Sequence, residues 1–474
     1  MPPSIRLDDL LAATGGHLIA PSAVTAIRGA AVDSRSVTPG SCFVALRGAR
    51  VDGHAFVGDA IRAGAAAVLV ERPVDVPDGH DAAVVRVADP LHALQELAAW
   101  WRGRHAVRVV GITGSTGKTL AKELVADVLA RTEPVLRNDG NLNSETGLPV
   151  TLLNLDAEHR LAVLEMSMYT EGEIARLAEI ARPEAGIVLN VLPMHLERTG
   201  SLEAIARAKG ELPAALPRDG LAVLNADDRR VAAMADATPA AVRTFGLGDG
   251  ADVRALDVVP HGLGGTEFTI AAPWGERRVR LAMPGRHLVP HALAAAAVAE
   301  RFGTPLDEVA AALAGGSHAA HRMAVVEAAS GATLVDDTYN AAPWSVAAAL
   351  DLLAETAVAP GRHRFAVLGD MLELGPDEER LHREVGVRAA GVVDGLVAVG
   401  ERGAWIAAGA RAAGLHRVVT AVDADEAVGA VERDMGPSVG DVVLVKASRG
   451  IELDRTVAAL AAAGTSIGPA SGSR

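Results

Sequence analysis

Short apolar runs rich in β-branched residues alternate along this chain with longer Ala/Leu segments whose apolar positions recur every three to four residues. The short runs read as strands buried on both faces, and the longer segments as helices that cover them. That alternation predicts an α/β protein with mostly parallel sheets. Three blocks separate. The first, residues 1–103, holds the strand-like "CFVAL" and "AAVLVE". The second, 104–317, opens with "HAVRVVGIT", a glycine-rich loop and the helical "GKTLAKELVADVLART"; "LAVLE", "AGIVLN" and "LAVLN" then follow at regular intervals. Residues 252–283 interrupt that rhythm with "FTIAAPWGERRVRLAM", which predicts an antiparallel hairpin appended to the sheet. The third block, 318–474, resumes the α/β pattern in "ATLVDD", "FAVLGD", "GLVAVG" and "DVVLVK", after a hinge-like Gly-Gly-Ser at 315–317.

A length of 474 residues exceeds what one hydrophobic core serves, in keeping with several domains. A net charge of −14 argues against binding a phosphate backbone, and 3% aromatics against stacking bases, so no nucleic-acid partner is expected. The single cysteine, Cys42, excludes an intramolecular disulfide and a multi-cysteine zinc site; its setting, "SCFVAL", makes it a small core residue. "MPPSIRLDDL" lacks the basic and apolar regions of a signal peptide. The most apolar stretch, "HALAAAAVAERF", meets charge well short of the ~18 residues of a membrane span. A soluble, cytoplasmic, monomeric protein acting on small molecules is the expectation.

The chemistry concentrates in "GITGSTGKT", residues 111–119, which follows a strand and opens a helix. The strict G-x-x-x-x-G-K-[ST] pattern fails because Ile112 stands where glycine is required, leaving the narrower variant T-G-S-T-G-K-T. Backbone N–H groups of such a loop face phosphate, Lys118 supplies a point charge, and the Thr119 hydroxyl suits Mg²⁺. Glu165 ends "LAVLE" and His195 follows "AGIVLN", so both can reach the same rim of a parallel sheet and share a metal or phosphate role. Only four of the 45 basic residues are lysine: Lys118, Lys122, Lys209 and Lys446. Lys122, in "TLAKE", reads as a helix-surface residue. Lys209 instead falls on the apolar stripe of Leu202, Ile205, Leu212 and Leu216, on a helix capped by Ser201 and ended near Pro213. A snorkelling or salt-bridged cation is one reading of it. Burial that lowers its pKa is the other, since a neutral amine can take up CO₂ as a carbamate, an oxygen ligand for Mg²⁺.

Together these residues resemble the Mur ligase family, ATP-dependent amide ligases of peptidoglycan precursor assembly, over nearly the whole chain. The resemblance implies three domains: a small α/β UDP-binding domain (1–103), a central P-loop ATPase-like parallel sheet with an appended antiparallel part (104–317), and a Rossmann-like α/β domain (318–474). It implies nucleotide contacts by Gly114, Ser115, Thr116, Gly117, Lys118 and Thr119, with Arg322 of "HR" on the phosphates and Asp337 of "DDTYN" on the ribose. Two Mg²⁺ ions are implied, ligated by Thr119, Glu165 and His195 and by Lys209 as N6-carboxylysine; His195 alternatively stabilises an acyl phosphate. "DSRSVTPGSCFVALRGARVDGHAF" is similar to the family's UDP-binding motif, giving Ser34, Arg35, Gly48 and His54 as substrate contacts. "GNLNSETGLPVTLL" is similar to its substrate-side loop, giving Asn141 and Asn143. "DDTYNAAP", "VLGDMLELG" and "VKASR", with Lys446 in the last, resemble the branch that adds D-Ala-D-Ala to a UDP-linked muramoyl tripeptide. The chain departs from the family at Leu288 and His291, where "HNVxNALAA" has asparagines, and at Ala342, Thr116 and Leu192. His291 retains the capacity to hydrogen-bond a base, whereas Leu288 lacks it. A ligase for a different amine and carboxylate, and a non-catalytic nucleotide-binding paralogue, stay open beside the leading reading.

Overall fold

The computed structural model describes residues 4–48, 51–193, 200–316 and 321–462. Within them the protein is an α/β molecule of three domains, each with its own main sheet. The N-terminal sheet runs in the order His17–Leu18, Ala83–Arg86, Ala67–Val70, Cys42–Val44, Ala30–Ala31, parallel except at its first strand. Cys42 is fully buried there, and burial pushes its thiol up to about 12, so it is an inert core residue.

The central sheet has nine strands, and Arg108–Thr113 lies inside it between Leu161–Glu165 and Ala185–Val188. The chain therefore leaves this strand toward both sides, which opens a crevice beyond its carboxyl end. Leu221–Asn225, Ala241–Gly246 and Val253–Pro260 continue the sheet in parallel; Thr266–Ala272 and Gly275–Leu281 close it as the expected antiparallel hairpin. Val135–Arg137 forms the opposite edge.

One face of this sheet is covered by the helices Lys118–Leu129 and Val289–Ala299. Alanines make the second helix apolar all round and thin enough to be buried on every side. The first is enclosed as well, with nine of its twelve residues buried, among them Lys122 at 0% exposure. That corrects the expectation for Lys122: the helix has almost no open surface, so its lysine points into the protein. The other face receives the helix Leu202–Ala214. Ser201 caps it, its Oγ accepting the Ala204 N–H at 3.1 Å. The helix runs through Pro213 and stops one residue later; Leu216 lies past its end but is buried with Ile205 and Leu212. Leu212 sits where a Cβ on Gly111 or Gly186 would be, at 2.9 and 3.0 Å, so these two strands let the Lys209 helix lie close against them.

The C-terminal sheet runs Ala324–Glu327, Thr333–Asp336, Val442–Lys446, Arg364–Gly369, Gly395–Val399, Val418–Ala421, antiparallel only at its first strand. Among the described residues no helix is long and apolar enough to cross a membrane.

Candidate functional site

The loop after Thr113 is sewn to the segment that follows Ala185–Val188. The Ser115 N–H donates to Asn190 O at 3.0 Å, and its Oγ donates to Leu192 O at 3.0 Å while accepting the Leu192 N–H at 2.9 Å. The Thr116 N–H donates to Asn190 Oδ1 at 2.9 Å, and Asn190 Nδ2 donates back to Thr116 O at 3.2 Å. Gly117 has φ +77°, and a Cβ on it would lie 2.0 Å from His291 Nε2, so glycine is required on both counts. Lys118 and Thr119 then open the helix, whose first-turn N–H groups and positive dipole end suit an anion. Lys118 Nζ reaches back to Gly114 O at 2.9 Å. Burial holds its pKa below the usual lysine range, against the pull of Glu165.

This loop forms one wall of a cleft of about 460 Å³ between the central and C-terminal domains. Most of the residues expected at a nucleotide site meet there: Ser115 to Thr119 of the loop, Asn141, Asn143 and Glu165 from the central domain, and His291 beside them. Arg322, Asp337 and Lys446 come from the other domain. Arg322 Nη2 donates to Thr119 Oγ1 at 2.8 Å, and its guanidinium lies 3.9 Å above the Tyr339 ring. Asp337 and Lys446, assigned separately to ribose and substrate, are partners: Lys446 Nζ donates to Asp337 Oδ2 at 2.5 Å and to Asn340 O at 2.8 Å. Burial raises the Asp337 pKa, opposed by that lysine.

Glu165 is 2% exposed and held on three sides. Asn138 Oδ1 accepts its N–H at 2.8 Å, Asn138 Nδ2 donates to its carbonyl at 3.2 Å, and Asn143 Nδ2 donates to Oε1 at 2.6 Å. Oε2 is buried and has no partner among the described residues. An unbonded carboxylate oxygen in the lining of a polar cleft is a costly arrangement in water-free surroundings and fits a cation ligand. The Thr119 hydroxyl is in the same lining. His195, the expected third ligand, lies outside the described residues, in the segment just past Leu192; so does Ser317 of the expected hinge. Among the described residues no three His, Cys, Asp or Glu side chains converge as a metal cage.

Lys209 is 5% exposed, and among the described residues no hydrogen bond or ion pair reaches its amine. Burial first, and the Lys118 charge second, hold its pKa well below the ordinary value. No salt bridge holds this lysine among the described residues, and its burial disfavours the charged form. Neither ring nitrogen of His291 has a hydrogen-bond partner among the described residues, and burial lowers its pKa to about 4. His287 nearby is lowered to about 4 as well, by burial and then by Lys446.

The four N-terminal residues lie apart from this cleft. Arg35 pairs with Asp33, which caps the turn Ser34–Ser36, and the Gly48 N–H donates to Val51 O at 2.9 Å. His54 faces inward, its Nδ1 2.7 Å from Asp52 Oδ1 and its Nε2 accepting the Glu71 N–H at 3.2 Å. Several residues were missed by sequence reasoning: Asn190, Tyr169, Tyr339 and Trp344 in the cleft lining, and Asn138, buried behind Glu165. A signal existed for the tyrosines, since the chain has only two and both line the cleft.

Comparison with known proteins agrees with this geometry. Residues 112–299 match the model of the Mur ligase middle domain, 321–449 that of the Mur ligase glutamate ligase domain, and 26–102 that of the Mur ligase family catalytic domain. A Mycobacterium tuberculosis (strain H37Rv) protein named UDP-N-acetylmuramoyl-tripeptide–D-alanyl-D-alanine ligase is 41% identical over 473 residues, covering 91% of each chain. A crystal structure of MurF from Acinetobacter baumannii is 31% identical with a TM-score of 0.86, covering 98% of this chain and 100% of that one. The MurF ligase of Thermotoga maritima in complex with ADP is 30% identical with a TM-score of 0.78, covering 92% and 97%. With a phosphate loop, an Arg322 contact to it and an unbonded glutamate arranged around one interdomain cleft, and with relatives of this identity and coverage, the chain belongs to the Mur ligase family.

Proposed function

We propose that this chain is an ATP-dependent amide ligase that joins D-Ala-D-Ala to the terminal carboxylate of a UDP-linked muramoyl tripeptide in peptidoglycan precursor synthesis. The relatives named above carry that activity in their names, and the Thermotoga structure carries ADP. The observation that carries the reading is the junction of the two domains: Arg322 reaches Thr119 of the phosphate loop beside the unbonded Glu165 oxygen.

The phosphates of ATP would lie on the loop 114–117 and the first turn of the helix, with Lys118 and Arg322 neutralising them. A carboxylate oxygen of the tripeptide attacks the γ-phosphorus, the bond to the β-phosphate oxygen breaks, and ADP and an acyl phosphate result. The amine of D-Ala-D-Ala then attacks the acyl carbon, phosphate leaves with the C–O bond electrons, and the nitrogen releases one proton as the amide forms. Positioning and charge neutralisation supply most of the acceleration in such transfers. Thr119, Glu165 and His195 would hold one Mg²⁺, and a carbamate on Lys209 would support a second. Bound Mg²⁺ would supply charge neutralisation to the phosphates during transfer. Addition of CO₂ to the neutral Lys209 amine, with loss of a proton, would give the carbamate. Asn141 and Asn143, on the loop beside Glu165, face the carboxylate substrate, and Ser34, Arg35, Gly48 and His54 belong to the UDP end.

Phosphate release and amide formation with ATP, UDP-linked tripeptide and D-Ala-D-Ala test the reading. All three substrates are expected to be required. ATP binding without turnover on this pair would instead favour a ligase for another amine and carboxylate. Buried Leu288 and Ala342, at positions where the family carries asparagine, are what keep that second reading in view.

A further inference from the structure

Lys122 and Asn138 have no place in the mechanism above, yet they form its most completely bonded polar unit. The edge strand Val135–Arg137 pairs with its neighbour only as far as Val163, so the ladder stops two residues before Glu165. The Asn138 side chain takes over from there. Its Oδ1 accepts the Glu165 N–H at 2.8 Å and its Nδ2 donates to Glu165 O at 3.2 Å, as a further strand residue would. The same Nδ2 donates to Leu142 O at 2.7 Å, which frees the main chain to turn away and folds the loop 139–143 back beside the glutamate. The main-chain carbonyl of Asn138 accepts from Lys122 Nζ at 2.5 Å. Lys122 is anchored in turn by Glu123 at 2.7 Å, and Glu123 by Arg137 at 2.7 Å. The edge strand is three residues long, and the loop it feeds is tied at its far end by the Ser167 N–H, which donates to Asn143 O at 2.9 Å, and at its near end by Asn138.

We infer that Lys122 and Asn138 are positioning residues: together they aim the Glu165 carboxylate into the cleft and hold the 139–143 loop against it. Lys122 lies on the same helix as Lys118 and Thr119, so the unit ties three parts of the site to one rigid element: loop, glutamate and substrate-side asparagines. Through Asn143, which bonds Glu165 Oε1, the unit leaves Oε2 as the free oxygen. This inference rests on the nucleotide-and-metal half of the proposed function and not on which amine is joined.

Calorimetric titration of ADP, in MgCl₂ and in EDTA, tests it on the intact protein well below its unfolding temperature. Lys122→Met is expected to reduce the Mg²⁺ enhancement of ADP affinity by roughly 10- to 100-fold, the cost typical of losing a partner that orients a metal ligand, with affinity in EDTA changed less than about threefold. Glu184→Gln serves as the control. Glu184 binds Arg108 and Arg301 at the opposite end of the same sheet, so its loss lowers stability without touching the cleft. Should Lys122→Met not fold, Asn138→Ser, which keeps the carbonyl for the lysine, carries the same expectation. An unchanged Mg²⁺ enhancement in the folded variant overturns the positioning role. A wild-type protein whose ADP affinity ignores Mg²⁺ overturns the metal reading instead.

Discussion

Lys122 and Lys209 are buried lysines on the two faces of one sheet, and they have opposite surroundings. Lys122 has a carboxylate and a carbonyl within hydrogen-bond reach and is completely enclosed. Lys209 has apolar neighbours and no partner among the described residues, and its nearest electrostatic influence is another cation. A buried ammonium survives only when paired, and an unpaired one gives up its proton. The first lysine is therefore held by ion pair and hydrogen bond, while burial biases the second toward its uncharged form, as the proposed carbamate requires. The chain spends arginine on its exposed cations and keeps lysine for these enclosed positions: Lys446 is 2% exposed, and Lys118 is half-buried in the phosphate loop. Arginine could not replace Lys209, since it does not deprotonate in proteins.

The comparison breaks most sharply at activity. Lys209→Ala is expected to lower kcat on the order of 10³-fold, about 4 kcal/mol, by removing the oxygen ligand its carbamate provides. Acetate or formate should restore part of the rate, because a small carboxylate can stand in the space the carbamate leaves. Full activity without added acid would sink the carbamate. Stability should separate the pair the other way. Lys122→Met removes one of Glu123's two cationic partners and strands the Asn138 main-chain carbonyl, and is expected to cost about 3 kcal/mol, read as a lowered first unfolding transition. Lys209→Met, which replaces an unpaired amine by an apolar chain of similar length, should leave that transition where it is or raise it.

Two histidines repeat the contrast on a smaller scale. His54 has both ring nitrogens engaged, whereas among the described residues His291 has neither, and its pKa is lowered from 6.5 to about 4. Its folded-state value is below the unfolded one, so between these pH values the unfolded chain binds a proton that the folded one refuses. Stability is thus complete above the unfolded value and falls as pH drops from 6.5 toward 4, by about 2 kcal/mol at pH 5 for this ring. The fall in melting temperature between pH 7 and pH 5 should shrink in His291→Asn. An unchanged slope would mean the ring finds a partner in solution.

Much of this was legible in the sequence wherever the signal is local. The long central strands, the appended hairpin, the phosphate loop and the Ser201 cap each depend on residues within a few positions of one another; short edge strands such as His17–Leu18 and Val135–Arg137 gave no such signal. What was not legible depends on how distant segments meet. The Arg322 contact with Thr119 spans 203 positions and exists only because the domains dock as they do. Lys122 looked like a surface residue because "TLAKE" has the local pattern of an exposed turn. It is buried because its side chain reaches the end of the edge strand, where the Asn138 carbonyl and Glu123 receive it. Asn138 carried no motif at all, since its role is set by where an edge strand happens to stop.

The smallest effect expected concerns how Lys209 is held in place. Ser201 caps its helix through one hydrogen bond to the Ala204 N–H, and Ser201→Ala should cost about 1 kcal/mol of stability. Fraying from that end reaches the first turn, around Leu202 to Ile205, while Lys209 lies two turns further in. There Leu212 is lodged against Gly111 and Gly186, a contact that does not involve the cap. If packing fixes the lysine, Ser201→Ala should melt slightly earlier yet keep its kcat within about twofold, a change below 0.5 kcal/mol. A fall in kcat comparable to that of Lys209→Ala would show instead that the amine is placed by the cap, and that its burial is a consequence of helix position rather than of the glycines beneath it.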